Sequence, residues 1–366
     1  MSSRKGVLHL TASLNFGGVE KHFEIIARHS NSAQHQPIFC AIAQGGATER
    51  LLLDLGHEVV CLGADAKIPN LKAIYKLTRF FLRTRPLIVH THGAEANFHG
   101  ILAAWIARVP VRIAEEIGIP THSSLAKLVF ATIYKSANRV IGISDAVVNW
   151  LSSSGEVNIG KAVRLYNPVI LPHQKKSVFP KHNNIFRIGF VGRLEPVKNP
   201  MVLLDVVNHL NKANFPVELW IVGEGSLRSA LERQVDKYML KEQVILFGYK
   251  VDPYQFIQDC DIYIQPSISE GFGLAVVEAM GCGIPVIATA VGGIPEIIQH
   301  EVTGWIVPES DLFSIMNAVN CAISNGPEKL ISMGISARKA VECRFSPENY
   351  IAQLEEIYQG VLNRRQ

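Results

Sequence analysis

Residues 262–280 read Ile-Tyr-Ile-Gln-Pro-Ser-Ile-Ser-Glu-Gly-Phe-Gly-Leu-Ala-Val-Val-Glu-Ala-Met. An apolar run, Ile262–Gln265, stops at Pro266, and Leu274, Val277 and Met280 then recur at helical spacing, so Gly271 and Gly273 fall in a strand-to-helix turn. The backbone N–H groups of Gly271, Phe272, Gly273 and Leu274 at such a turn lack intrahelical acceptors, which makes a ready site for an anion such as a diphosphate. Glu270 stands at the mouth of the turn and Glu278 about two helical turns further on. A carboxylate beside a phosphate repels it unless the acid grips hydroxyl groups. Two flanking acids therefore suit a ligand with a sugar at each end of its diphosphate. The plainer alternative leaves Glu278 in a local salt bridge and the glycines as turn residues only.

Outward from this unit, short Val- and Ile-rich runs alternate with longer helical patterns along the whole chain, the rhythm of parallel sheets with helices on both faces. Strands are expected over 6–10, 37–42, 58–62, 87–90, 111–115, 139–143 and 163–166, and again over 186–191, 217–222, 244–247, 262–265, 285–288 and 305–307. Between the two sets, residues 167–184 carry prolines, lysines and histidines with little periodicity and read as a linker. The expected fold class is α/β, with two doubly wound parallel-sheet domains over 1–180 and 181–346. Open parallel sheets bind ligands at the carboxyl ends of their strands, so two of them facing one another would enclose a cleft. Ser346-Pro347 signals a last helix over 347–366, with Tyr350, Leu354, Ile357, Tyr358 and Val361 on one face, either closing the second domain or crossing back to the first.

The chain has 366 residues, too many for one small module at about 150 residues per domain. Apolar residues are 48% and charged residues 19%, which excludes a disordered chain. Six cysteines include no C-x-x-C pair, so neither a disulfide framework nor a zinc knuckle is spelled out, and a reducing cytosol is the expected compartment. His9 and Asn15 interrupt the first apolar run, which reads as a strand and not as a signal peptide. The uncharged stretch Ala279–Pro295 is broken by glycines and prolines and is shorter than the ~20 apolar residues of a membrane span.

Charge is uneven: residues 1–172 hold 18 basic and 11 acidic side chains, a net of +7, and the remainder 18 and 21, a net of −3. A basic first half suits anionic lipid head groups or a phosphorylated substrate. Lys72, Lys76, Arg79 and Arg83 lie opposite Ile74, Leu77, Phe81 and Leu82 on one expected helix, a basic amphipathic face that would give a peripheral hold on an anionic membrane. A solvated outer helix explains the same pattern.

Several familiar motifs fail. No G-x-G-x-x-G follows the first strand, Gly155–Lys161 lacks the hydroxyl a phosphate loop needs at Ala162, and Ser144 reads as a helix cap and not a nucleophile elbow. There is no H-E-x-x-H and no Asp-x-Asp suited to a metal-bound diphosphate, so no catalytic metal is expected. Positive charge to balance a diphosphate does occur: a strand ends at Gly192, Arg193 and Lys198 follow in the loop, and a helix is expected from about Asn199. Arg grips phosphate bidentately and Lys adds a point charge. Gly223-Glu224-Gly225 and Gly248 end two further strands, where glycine permits close backbone approach. In the first half, Gly17 and Gly18 open a helix after the first strand, and His92, ahead of the deeper His90, is placed at a strand end to touch a sugar or accept a proton.

Together these residues resemble the group 1, or family 4, glycosyltransferases of the two-Rossmann GT-B fold. The resemblance rests on Glu270-x7-Glu278, G-R-L-x-x-x-K-N from Gly192 to Asn199, Gly223-Glu224-Gly225, Gly292-Gly293-Ile294-Pro295-Glu296, Gly17-Gly18-Val19-Glu20 and Asn167-Pro168-Val169, in the family's order. It implies retaining, metal-independent transfer from a nucleotide-diphosphate sugar, with Glu278 on the ribose, Glu270 on the donor sugar, and Arg193 and Lys198 on the leaving diphosphate. It further implies donor contacts at Phe272, Gly273, Leu274, Gly223 and Glu224, a glycan or lipid-linked acceptor in surface polysaccharide synthesis, no cofactor and no nucleic-acid partner. Many members carry a His after the fifth strand; here Glu115-Glu116-Ile117 stands there, and Glu116 is the candidate replacement as a first-domain sugar contact. A nucleotide-sugar epimerase on the same twin fold and a non-catalytic sugar-nucleotide binder are the competing readings.

Overall fold

A computed structural model describes residues 6–15, 17–120, 122–171 and 185–364. The chain divides into two compact units, Met1–Ile170 with Phe345–Gln366, and Leu171–Arg344. Most of the expected linker, 172–184, lies outside the described residues.

The first unit holds β1 (Val7–Thr11), β2 (Pro37–Ala41), β3 (Val59–Cys61), β4 (Ile88–His92), β5 (Val111–Glu116), β6 (Arg139–Gly142) and β7 (Ala162–Arg164). They lie side by side as β3-β2-β1-β4-β5-β6-β7, every ladder parallel. The second unit holds β8 (Phe186–Val191), β9 (Val217–Val222), β10 (Val244–Gly248), β11 (Ile262–Gln265), β12 (Val286–Thr289) and β13 (Gly304–Val307). Their order is β10-β9-β8-β11-β12-β13, again all parallel. Central strands such as β1 and β11 are buried along their length, which is why they read as continuous apolar runs with no alternation. In both sheets the winding reverses beside the first strand, between β1 and β4 and between β8 and β11. The carboxyl ends at that reversal are where open α/β sheets take ligands.

Each sheet is covered on both faces. In the second unit Phe190, Leu204, Leu219, Ile264 and Val319 are fully buried in one cluster. In the first unit Leu8, Leu77, Phe81 and Val89 pack on one face, and Phe23, Phe39 and Ile113 on the other. The last helix, Pro347–Asn363, is capped by the Ser346 hydroxyl, which accepts from Asn349 N at 3.3 Å, and it belongs to the first unit. Its Tyr350, Ile351, Leu354 and Tyr358 join the Phe23 cluster, and the Glu355 carboxylate accepts from His35 N at 3.1 Å and meets His35 Nδ1 at 2.6 Å.

Two local expectations are corrected. On the helix Leu71–Thr84, Leu82 is 54% exposed and Phe80 takes the core position beside Phe81, because the apolar stripe is one residue offset from the expected one. Asn199 does not open a helix: Pro196–Lys198 forms a 3₁₀ turn, Asn199 sits at φ +49°, and the helix is Met201–Lys212. If the C-terminal helix is part of the first unit's core, Leu354→Ala will cost about 2–5 kcal/mol in chemical denaturation despite its distance in sequence from every strand. A change within experimental error would show the helix to be peripheral.

Candidate active site

Strands β8 and β11 flank the reversal in the second sheet, and the loops after them hold Arg193, Lys198 and Glu270. After β8, Leu194 is fully buried and its N–H donates to Glu224 O at 2.9 Å, which anchors the loop and leaves Arg193 exposed. The Glu195 carboxylate accepts from Ser226 N at 2.9 Å and from the Ser226 hydroxyl at 2.6 Å. Ile268 N donates to Val197 O at 2.8 Å and so ties the β8 loop to the β11 loop. Across that tie Lys198 Nζ lies 2.6 Å from Glu270 Oε1. The same oxygen accepts from the Ser267 hydroxyl at 2.9 Å and from Gln265 Nε2 at 3.3 Å. The Tyr263 hydroxyl donates to Gln265 Oε1 at 2.6 Å, fixing the amide so that its N–H₂ faces Glu270.

The turn that follows is set by glycines. Gly273, at φ +107°, caps the helix Leu274–Gly281, whose first N–H groups have no intrahelical acceptor. Phe272 is buried beneath it, and Leu274 is partly exposed. Gly292, at φ +52°, lies so close to the Glu270 carbonyl that an added Cβ would sit 1.5 Å from its oxygen. Gly223, at φ +144°, approaches Gly192 O in the same way, at 1.9 Å for an added Cβ. Glu224 is exposed, with Arg228 Nη1 3.2 Å from its Oε1. Glu278 is buried on the helix, and its Oε1 accepts from the Tyr254 hydroxyl at 3.4 Å. Burial and then the Glu278 charge push the Tyr254 hydroxyl far up, so it stays a donor. Arg193, Lys198, Glu270, Phe272, Gly273, Leu274 and Glu278 thus sit on two adjoining strand ends and one helix. Tyr254, Ser267 and Gln265 were not foreseen; a lone amide closing an apolar strand was the available signal for Gln265.

In the first unit the sequence expectations are changed. Gly17 and Gly18 are exposed at the start of the helix Gly18–Arg28, but Glu20 folds back over Gly17, with Oε2 2.5 Å from an added Cβ. That helix end already faces a carboxylate, which disfavours a phosphate there. His92 is 2% exposed, with Nε2 3.0 Å from His9 Nδ1 and Nδ1 3.2 Å from Glu115 Oε2. Burial, and then His90, push it down to about 3, so it is a neutral interior ring and not an open sugar contact. Glu116 is likewise turned inward on the opposite face of β5, where it accepts from Asn97 Nδ2 at 2.8 Å and from the Tyr134 hydroxyl. It is not positioned as a first-domain sugar contact.

Burial pushes the Glu116 carboxyl up from 4.5 to about 7. The folded chain therefore holds a proton that the unfolded chain has released between these values, and stability falls as pH rises through that window, by about 3 kcal/mol from this group. Glu116→Gln keeps the shape without the titration. The difference in unfolding free energy between wild type and Glu116→Gln will change across pH 4.5–7 in this sense, whereas a pH-independent difference would place the carboxyl in water.

Residues 16–171 match the family model "Glycosyltransferase Family 4" and residues 173–340 match "Glycosyl transferases group 1". The chain is 26% identical over 273 residues to the Escherichia coli UDP-Gal:alpha-D-GlcNAc-diphosphoundecaprenol alpha-1,3-galactosyltransferase, covering 69% of this chain and 70% of the relative. It is 24% identical over 327 residues to the Staphylococcus aureus capsular polysaccharide biosynthesis glycosyltransferase CapM, covering 84% and 86%. Among solved structures, Anabaena HepE in complex with UDP and glucose superposes with a TM-score of 0.85 at 22% identity, over 98% of this chain and 100% of that one. The two parallel sheets are those of the GT-B fold, and the chain belongs to the group 1, family 4 glycosyltransferases.

Proposed function

We propose that this chain moves a sugar, with retained anomeric configuration and without a catalytic metal, from a nucleoside diphosphate sugar to a glycan or lipid-linked acceptor in surface polysaccharide synthesis. The observation that carries the reading is the Lys198–Glu270 pair, 2.6 Å apart across the β8 and β11 loops at the reversal of the second sheet. Arg193 and Lys198 supply positive charge where a diphosphate would gain negative charge on leaving, and preorganised charge of this kind lowers the barrier most. Glu278 and the Tyr254 hydroxyl are suited to ribose hydroxyls, and Glu270 to those of the donor sugar. As the bond from the anomeric carbon to the phosphate oxygen breaks and the bond to the acceptor oxygen forms on the same face, the departing phosphate takes the acceptor proton. No protein nucleophile is required. In this reading the second unit binds the donor and the first the acceptor. HepE, whose structures contain UDP and UDP-glucose, supports a uridine donor.

The chain works on the cytoplasmic side. Among the described residues no helix is long and apolar enough to cross a membrane, so a lipid-linked acceptor would be met from the surface. The helix Leu71–Thr84 presents Lys72, Arg79 and Arg83 beside exposed Leu71, Tyr75 and Leu82.

Transfer from radiolabelled UDP-sugars to short diphospholipid-linked acceptors tests the assignment. Lys198→Ala and Glu278→Ala are each expected to lose roughly 10²–10³ in turnover while the variants still fold by circular dichroism, and proton NMR of the wild-type product is expected to show the donor's anomeric configuration. Near-normal turnover in both variants removes the site, and inversion removes the mechanism. Sedimentation with phosphatidylglycerol vesicles is expected at low salt and to fade as the salt approaches ~1 M, where screening reaches about 3 Å. An absence of binding at low salt ends the membrane contact.

A further inference from the structure

Beneath the first sheet's reversal lies a cluster that the proposed transfer does not use. His9 on β1, His90 and His92 on β4, Glu115 on β5 and His22 on the helix Gly18–Arg28 are all buried, none more than 6% exposed. Glu115 Oε2 lies 3.1 Å from His90 Nε2 and 3.2 Å from His92 Nδ1, and Glu115 Oε1 lies 3.8 Å from His22 Nδ1. Despite these distances, His90 Nε2, His92 Nδ1 and both Glu115 oxygens make no well-aligned hydrogen bond. Among the described residues no lysine or arginine pairs with Glu115, and its ion-pair contacts are all imidazoles. Buried carboxylates demand a cation or a proton.

We propose that His22, His92 and Glu115 bind one divalent transition-metal ion of the zinc class. One donor atom from each of these three lies within 4.8 Å of the others. A tetrahedral ion with bonds near 2.0–2.1 Å holds its ligand atoms about 3.3 Å apart, close to the 3.2 Å between His92 Nδ1 and Glu115 Oε2. The unaligned approach of the donor atoms suits a central ion better than direct hydrogen bonds. The contact between His9 Nδ1 and His92 Nε2, at 3.0 Å, holds the His92 ring with its Nδ1 toward Glu115, as outer hydrogen bonds do for metal-bound imidazoles. His90 Nε2 is the nearest further donor, and the Tyr358 hydroxyl fixes that ring through Nδ1 at 2.8 Å. The ion would pin the helix to β4 and β5. Its role is structural, and it is independent of the diphosphate site in the other unit.

The cluster is closed, so loading accompanies folding. The full chain, expressed in zinc-supplemented medium, freed of any affinity tag and desalted, is expected to carry about one zinc per molecule by plasma mass spectrometry. Refolded with Co²⁺ alone, it is expected to show the intense visible bands of a tetrahedral cobalt site. His22→Gln, whose ring is the one ligand contributed by a helix, is expected to lower the zinc content at least roughly tenfold with an unchanged circular dichroism spectrum. Folded wild type with less than about a tenth of an equivalent of zinc and no cobalt bands overturns the proposal and assigns the counter-ion role to a protonated histidine. Full zinc content persisting in folded His22→Gln overturns it as well. Should that variant fail to fold, the wild-type zinc and cobalt measurements decide alone.

Discussion

The ion pair between Lys198 and Glu270 joins two loops whose cation and largely buried carboxylate would each otherwise lack a counter-charge. Three donors converge on a single Glu270 oxygen, from Lys198, Ser267 and Gln265, and each belongs to β11 or to one of the loops after β8 and β11. In the ligand-free chain Glu270 is therefore the counter-ion of the cation that the proposed diphosphate would claim. In the proposed transfer a diphosphate would bring its own charge for Lys198 and release Glu270 to accept from neutral hydroxyls, so that one carboxylate would serve both as placeholder and as sugar contact. The close pairing of an acid and a base at the proposed phosphate site, which looks wasteful in sequence, would follow from this exchange.

Those loops approach one another through backbone more than through side chains. The sequence reading gave Gly223 the task of letting a ligand come close, but the atom a Cβ would strike is Gly192 O, and for Gly225 it is Leu194 O. Gly292 is packed against the Glu270 carbonyl in the same manner. These glycines are required by strand-end loops crowding each other. Replacing them would displace the loops that carry Arg193, Lys198 and Glu270, since the carbonyl oxygens they abut belong to the same loops.

The architecture was legible because parallel strands buried on both faces announce themselves as apolar runs, and each expected strand corresponds to one of the thirteen. The Rossmann-type winding was legible from the alternation with helices. What the sequence left open was the destination of the last helix, since a helix with one apolar face fits any exposed sheet face; only the fit of Tyr350, Leu354 and Tyr358 against Phe23 and Phe39 decides it. The 3₁₀ turn at Pro196–Lys198 was missed because Pro196 starts a helix as readily as a tight turn, and the left-handed Asn199 that stops it has no signature of its own. In the site, charged residues next to glycines at strand ends stood out. Their supports Gln265, Ser267 and Tyr254 did not, because neutral polar residues are common in loops and short strands.

His92 and Glu116 show why position along a strand is weaker guidance than the face on which a side chain falls. Adjacent residues on β5 point to opposite sides, so Glu115 and Glu116 share a strand end but not an environment. Burial raises both carboxyls. Around Glu115 the effect of His92 and its neighbouring imidazoles outweighs it and holds the group well below the usual carboxylate range, whereas Glu116 meets a phenol and an amide and is held up near neutrality. The hydroxyl and the amide do not offset the burial of Glu116, and the shift therefore keeps the sign that burial gives it. Two glutamates side by side in sequence are thus an ionised acid and a largely protonated one at acidic pH, separated by one peptide unit. The difference resides in what each face of the sheet holds: His90 and His92 of β4 with the helix-borne His22 around Glu115, and the helix-borne Asn97 and Tyr134 around Glu116.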